Sequence, residues 1–432
     1  MNVQPHSPLY GWYGDDFTGA TDTLATLCTR GVKAFLFLGP PSALHRARAG
    51  ELDAIGIAGS ARAMQPDEMK QELRPVGEFF LAAGVRLLHY KCCSTFDSGS
   101  GIGNIATAIS VLRAFVSQRQ ALILGGQPSL GRYCAFGNLF AASGSGGTVH
   151  RLDRHPTMSR HPSTPMTEAD LRFHLTELGA EDIGLVDWTA LEEGRIASGE
   201  ESNILFDALT QSHIALIGKE LQHRIRKGSL LVVGASSVAE AVYTERCQKA
   251  LMPLTASPGP VLAVAGSLSP LTRRQTEAAT SFIRVGADAG RLVEEESYRH
   301  AIAAKAAEGL RDGRNVLVTT APDAAASVSG ADPRLAHMVG LLTDRLLSEI
   351  PVKRLIAAGG DTSSHIVQNL NLWGLAYGGQ ISPGVAISIG RSDDPRRDGL
   401  SIMLKGGQMG DIDLFDRFAA AGDAQTKALH TS

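Results

Sequence analysis

The sequence predicts an α/β protein of two domains, each a mostly parallel sheet flanked by helices, with an active-site cleft between them. Three observations predict it. Short, continuously apolar runs recur along the 432 residues with helical patterns between them, as strands buried on both faces of a parallel sheet require. Many of these runs end in Gly, Ser, Asp or Thr, which puts polar loops at the carboxyl ends of strands, where open α/β sheets bind ligands. The stretch "MPLTASPGPVLAVAGS" carries Pro253, Pro258, Gly259 and Pro260 just before a new apolar run, a break that separates a domain at 1–255 from one at 259–432.

The first domain has strand candidates at 9–14, 34–39, 53–59, 86–94, 121–126, 184–188, 203–209 and 230–235. Its first helix follows at once: Ala20, Leu24, Leu27 and Cys28 are spaced i, i+4, i+7 and i+8, and Gly31 stops it. The segment 135–168 is rich in Gly, Ser, His and Pro and shows no period. Long irregular segments in compact domains are often binding loops, and Thr167 to Asp170 offer a helix cap at its end. The second domain has strand candidates at 261–267, 315–321, 354–360, 386–390 and 401–407.

Composition excludes several classes. Apolar residues make up 44% and charged residues 20%, with a formal net charge of -3. No broad basic field points to nucleic acid or an anionic membrane. No apolar run approaches the roughly 18 residues that span a bilayer, and "MNVQPHSPLYGWYG" does not read as a signal peptide. Cys28, Cys92, Cys93, Cys134 and Cys247 are odd in number and lack zinc-type spacing. They read as reduced thiols of a cytoplasmic protein. A homodimer is left open.

Chemistry gathers at the ends of strands. "WYGDDFTGATD" ends an apolar run in Asp15 and Asp16 and enters a helix through Phe17-Thr18-Gly19. Adjacent carboxylates repel each other and are poor strand formers, so the turn needs either a cap or a partner that donates protons or positive charge. "YKCCSTFDSGSGIGN" adds Lys91, Ser94, Thr95, Asp97 and Asn104, and "GQPSLGRYCAFGNLF" adds Gln127 and Arg132. Together they suit a small polyol carboxylate. In the second domain, "LIAAGGDTSSHIVQNL" runs from a buried strand through Gly359 and Gly360 into Asp361, Thr362 and an amphipathic helix. Glycines admit a ligand to the backbone, and a helix start offers free N–H groups and a positive dipole end, a site for phosphate. "AVAGSLSPLTRRQ", with Ser267, and "IMLKGGQMGDID", with Lys405 and Gly407, repeat the pattern. No G-x-x-x-x-G-K-[ST] occurs, and "GSGIGNIA" lacks the strand and the acidic residue of a dinucleotide fold. A dehydrogenase is therefore disfavoured. A non-catalytic sugar-acid binding protein is the alternative of another class, and the glycine-rich loops weigh against it.

These motifs, in this order and over the whole chain, resemble the four-carbon acid sugar kinases. "YGDDFTGATD", "YKCCSTFDS", "TPMTEADL", "GSLSPLTRRQ", "AAGGDTS" and "LKGGQMGD" carry the resemblance. It implies ATP-dependent phosphorylation of a sugar-acid hydroxyl, with Mg²⁺ on the phosphates. The N-terminal domain would hold the sugar acid and the C-terminal domain ATP. Ser267, Gly359, Gly360, Asp361, Thr362 and Gly407 would contact ATP. Asp16 or Asp15 would orient or deprotonate the attacking hydroxyl, and which of them does so is left open. Two motifs depart from the family's usual form. "CSTFDSGSGIGNIATA" stands where D-S-T-x-x-G-N-I-G is common, and "GGQPSLGRYCAFGNLF" replaces a proline-rich segment. Both fall where substrate should bind. They point to a kinase of the branched five-carbon acid 3-oxo-isoapionate, with 3-oxo-tetronate or another four-carbon acid (threonate, erythronate) as runner-up.

Overall fold

A computed structural model of the chain describes residues 7–144, 146–161, 163–196, 201–246, 257–266, 269–320 and 333–429. Ser267, Cys247 and Pro253 lie outside the described residues. The chain divides into two compact units, Met1–Ala250 and Leu251–Ser432.

The first unit contains β1 (Tyr10–Gly14), β2 (Ala34–Phe37), β3 (Ala54–Ala58), β4 (Leu87–Lys91), β5 (Ala121–Leu124), β6 (Arg132–Ala135), β7 (Asn138–Ala142), β8 (Val149–Arg151), β9 (Ile183–Val186), β10 (Asn203–Phe206) and β11 (Leu230–Gly234). Its helices are α1 (Phe17–Thr29), α2 (Ala43–Arg48), α3 (Pro66–Ala83), α4 (Ile105–Arg113), α5 (Leu171–Glu177), α6 (Trp188–Glu192), α7 (Gln211–Lys227) and α8 (Ser237–Val242). The main sheet runs β2-β3-β1-β4-β11-β5-β10-β9, and every pairing in it is parallel. The residues of β1, β3, β4, β5, β10 and β11 are all buried, which is why their sequences are continuously apolar rather than alternating. On α1, Ala20, Leu24 and Leu27 are buried as their spacing predicts, and Cys28 is half-buried.

The segment predicted as irregular is only partly so. Strands β6, β7 and β8 form a small antiparallel sheet that reaches residue 151, followed by two 3-10 turns. The β6–β7 hairpin turns on Phe136 and Gly137, both at positive φ. A phenylalanine there gives no turn signal, since such positions favour Asn, Asp or Gly. The turn is held from a distance: the Asp207 carboxylate accepts the N–H groups of Phe136 and Gly137. At the end of the segment, Asp170 caps α5 through Arg172 N–H, close to where the sequence puts a cap.

The second unit contains β12 (Val261–Ala265), β13 (Phe282–Gly286), β14 (Asn315–Thr319), β15 (Arg354–Ala358), β16 (Leu372–Ser382), β17 (Val385–Ser392) and β18 (Ser401–Lys405). Helices α9 (Pro270–Ala278), α10 (Ala289–Glu294), α11 (Glu296–Arg311), α12 (Pro333–Glu349), α13 (Gly360–Asn369) and α14 (Leu414–Leu429) surround them. Strands run in the order β13-β14-β12-β15-β18-β17-β16. Those from β13 to β18 are parallel, and β17 and β16 extend the sheet antiparallel. Strands β13 and β16 are additions to the predicted set. Both mix buried and partly exposed positions, and β16 is interrupted by Gly378 and Gly379, so neither reads as a continuous apolar run. The core joins Val261, Leu317, Ile356 and Met403 of the sheet to Phe282, Phe415 and Phe418. Each fully buried side chain of this kind contributes about 1.5–3 kcal/mol relative to exposure.

Candidate active site

In the first unit β1 lies between β3 and β4, with Gly14 opposite both Ala58 and Lys91. The chain leaves β1 toward β2 and β3 on one side and later builds β4, β11 and β5 on the other. This is the topological switch point, where carboxyl-end loops part and leave a crevice. Three loops meet there: Asp15 and Asp16 after β1, Arg62 after β3, and Cys92 to Asp97 after β4.

Arg62 ties the aspartates together. Its Nη2 and Nε donate to the two oxygens of Asp15 at 2.6 and 3.1 Å, and Nη1 donates to Asp16 Oδ2 at 3.0 Å. Asp16 is also the N-cap of α1. Its Oδ1 accepts Gly19 N–H at 2.9 Å, and its Oδ2 accepts the Thr18 hydroxyl at 2.5 Å. Thus the pair has both a cationic partner and a capping role, divided between its members. Buried Lys91 donates to Cys92 O at 2.9 Å. A Cβ on Gly19 would lie 2.5 Å from Lys91 Nζ and 2.6 Å from Asp16 Oδ1, so the glycine of "DDFTG" makes room for the lysine against the first turn of α1.

The two carboxylates differ in basicity. Burial pushes Asp15 up to about 6; Arg62 opposes the shift and the neighbouring charge of Asp16 adds to it. Burial would raise Asp16 too, but Arg62, Lys91 and the bonds from Thr18 and Gly19 outweigh it and hold Asp16 below the ordinary range. Asp97 is likewise buried and held low, chiefly by Arg62. Thr95 donates to Asp97 Oδ1 at 2.6 Å. The Ser94 hydroxyl makes no hydrogen bond among the described residues.

Arg132 stands at the start of β6, where burial lowers its affinity for the proton. One nitrogen donates to Leu130 O, while its buried Nε has no partner. Asn104 is occupied differently. Its Oδ1 caps α4 by accepting Thr107 N–H at 2.8 Å, and its Nδ2 donates to Leu178 O at 3.1 Å. The structure therefore brings Asp15, Asp16, Lys91, Thr95 and Asp97 together around Arg62 and commits Asn104 to the scaffold. Arg62 is absent from the sequence-derived set. It lies four positions past β3, and the rule that singled out the other loops, polar residues just beyond a buried strand, reaches it.

In the second unit the switch point falls between β12 and β15, since β13 and β14 lie on one side and β18 on the other. Gly266 N–H donates to Ala358 O at 3.1 Å, and Gly359 N–H to Lys405 O at 2.9 Å. These bonds align the loops after β12, β15 and β18. Gly359 has φ 125° and ψ 139°, a conformation open to glycine alone at low cost. Thr362 is buried, with its hydroxyl against Gly266. A Cβ on Gly360 would meet nothing within 4 Å among the described residues, so there is open space beside the first turn of α13. Gly407 is held in place by its carbonyl, which accepts the Thr272 hydroxyl at 3.0 Å. Asp361 is exposed on the first turn.

Comparison with known proteins agrees with this division. Residues 10–242 match the family described as a sugar-binding N-terminal domain, and residues 262–415 the family described as a nucleotide-binding C-terminal domain. The chain is 34% identical to the 3-oxo-isoapionate kinase of Paraburkholderia graminis, across 95% of this chain and 94% of that one. It is 28% identical to the 3-oxo-tetronate kinase of Cupriavidus necator, across 95% and 96%. Among solved structures, a Salmonella typhimurium LT2 protein solved under the name of a tRNA synthase superposes with a TM-score of 0.76 at 25% identity, over 94% of this chain and 98% of that one. A Haemophilus influenzae protein of the DUF1537 family gives 0.70 at 23%, over 95% and 100%, a likeness of fold. With both domain families matched in order and kinases aligned over nearly their whole length, the chain belongs to the acid-sugar kinase family, phosphotransferases with an alcohol group as acceptor.

Proposed function

We propose that the protein is a 3-oxo-isoapionate kinase, transferring the γ-phosphoryl group of ATP to a hydroxyl of this branched 3-oxo sugar acid. The observation that carries the reading is the 34% identity to a 3-oxo-isoapionate kinase, against 26–29% to 3-oxo-tetronate kinases over similar lengths. The linear 3-oxo-tetronate is the second reading, supported by the number of those relatives.

The sugar acid would sit at the β1/β4 switch point. Arg132, whose Nε lacks a partner, would take the carboxylate, with Lys91, Ser94, Thr95 and Asp97 facing the hydroxyls. Asp15 would be the base. It is the more basic of the pair, and each of its oxygens accepts one N–H and keeps a lone pair. The hydroxyl oxygen attacks the γ-phosphorus, the bond from that phosphorus to the leaving ADP oxygen breaks, and the hydroxyl proton passes to Asp15. Asp16 would fix the turn that aims it. Positioning of this sort carries most of phosphoryl-transfer catalysis.

ATP would lie at the β12/β15 switch point with its phosphates over Gly359, Gly360, Asp361 and Thr362, bounded by Ser267 and Gly407. The open space before Gly360 is what such a cradle requires. Among the described residues no group of three or more His, Cys, Asp and Glu could hold a metal. Mg²⁺ would be carried on the phosphates, where it keeps waters and needs few protein ligands. Bound there, the ion would neutralise charge developing on the phosphate oxygens.

Two experiments test the reading. In an ADP-release assay over 3-oxo-isoapionate, 3-oxo-tetronate and their neutral ketose counterparts, the branched acid should give the highest kcat/KM, by about tenfold or more. A higher value for 3-oxo-tetronate makes the second reading correct, and neutral sugars as good as the acids remove the carboxylate site. Gly360→Leu should weaken ATP binding by at least about tenfold, because the side chain fills the cradle. Its melting temperature should hold or rise, since nothing among the described residues lies within 4 Å of a Cβ there and leucine favours helix over glycine. Unchanged ATP affinity would place the nucleotide elsewhere.

A further inference from the structure

Lys405 ends β18 and is 0% exposed. Its Nζ donates to Thr272 Oγ1 at 2.8 Å, its one hydrogen bond among the described residues, and the Thr272 hydroxyl in turn donates to Gly407 O. An ammonium has three N–H donors, so two have no acceptor among the described residues. Among the described residues, the elements around this strand end carry Arg273, Arg274 and Glu277 on α9 and Asp361 and His365 on α13, whereas Arg354 on β15 and Arg391 on β17 lie toward the other end of β18. None of them bonds the amine. A buried cation without a counter-ion is costly, and burial alone drives Lys405 down to about 7.

Its placement suggests what supplies the missing charge. Lys405 pairs in register with Ala358, and its carbonyl holds the N–H of Gly359. Lys405 therefore ends its strand level with the glycine-rich start of α13 and leads into the Gly406–Gly407 turn, with its amine on Thr272 of α9. We propose that Lys405 is a counter-ion created by nucleotide binding: an amine that is neutral in the free protein at pH 8, it takes one proton from solvent when the phosphate chain arrives. This rests on the nucleotide reading of the C-terminal domain. Direct contact is not needed, because an opposite charge within ~4–6 Å favours the charged form of a buried group. Keeping the amine neutral until then spares the empty site a buried, unpaired charge.

The sign of the linkage sets the test. Below pH 7 the amine is already protonated in the free protein. Above it, nucleotide raises its affinity for the proton and uptake follows. Calorimetric titration of ADP at pH 8, in HEPES and in Tris, should show a buffer-dependent enthalpy equal to about one proton taken up per ADP. Adenosine, which lacks phosphates, should show none. Lys405→Met should abolish the uptake, weaken ADP by at least about tenfold and leave adenosine unchanged. Methionine fills the same space without an amine, so its melting temperature should not fall. A lysine that merely props Thr272 and the Gly407 turn would leave the proton count at zero in the unaltered protein. That result, or uptake that persists in Lys405→Met, overturns the proposal while ADP binding stands. Failure of the unaltered protein to bind ADP would overturn the nucleotide reading and this inference with it.

Discussion

Asp15→Asn should lower kcat by about 10²–10⁴, the usual worth of general-base assistance, while ATP binds as before. Asparagine keeps the shape of the side chain and can still accept one N–H from Arg62, so the turn after β1 should survive. The pH profile provides an independent signature. A base must be unprotonated, so kcat/KM should fall as pH drops through about 6, the value to which burial raises Asp15. The variant should lose this acid limb. Asp16→Asn makes the opposite prediction. Asparagine is as good an N-cap as aspartate, so α1 keeps its start and turnover should stay within about tenfold of normal. Because the charge of Asp16 raises Asp15, its removal should move the acid limb to lower pH. If Asp16→Asn is instead the variant that loses 10²–10⁴ in kcat, Asp16 is the base and the roles given to the pair are reversed.

That assignment could not come from the sequence, and the reason is physical. Adjacent aspartates at a strand end announce a special turn, and the parallel, buried strands around them follow from apolar runs alone. What separates Asp15 from Asp16 is their surroundings: Arg62 from the loop after β3, Lys91 from the end of β4, and the cap geometry at Gly19. Only the last is local. Asn104 shows how one residue type carries two readings. Its position in a polar loop suggests a ligand, but an Asn just before a helical run is also a cap, and the structure uses it as one. The hairpin at Phe136 was hidden for a related reason, since its turn depends on Asp207, about 70 residues further along. The glycine-rich start of α13 was legible because a strand, two glycines and a helix are contiguous. Lys405 was visible as a residue but not as a buried amine, because burial on the last parallel strand is a tertiary fact.

Arg62→Met should cost about 3 kcal/mol of stability. Breaking a buried ion pair by removing one partner typically costs about 3–5 kcal/mol. The Arg62 side chain is 25% exposed, while those of Asp15 and Asp16 are 5% and 9% exposed, so water screens the pair in part and the lower end applies. For a domain of this size that corresponds to a melting temperature lower by roughly 6–12 °C. The loss should depend on pH in a definite direction. Without Arg62, both carboxylates remain buried with Lys91 as the remaining nearby cation, so their folded-state pKa values rise above the unfolded ones. A group of that kind contributes stability that is present below its unfolded pKa and lost as pH rises through its folded pKa. In the unaltered protein Asp15 already titrates near 6 and Asp16 is held low, so its own loss is complete sooner. The gap in melting temperature between the two proteins should therefore be small at pH 5 and widen toward pH 8. Arg62→Lys, which restores a charge but not the fork that engages both carboxylates, should recover part of the loss and flatten the trend. Thermal unfolding of the three proteins across this range separates the accounts. A deficit of the same size at every pH would mean that Arg62 stabilises by packing, and that the aspartate pair does not depend on its charge.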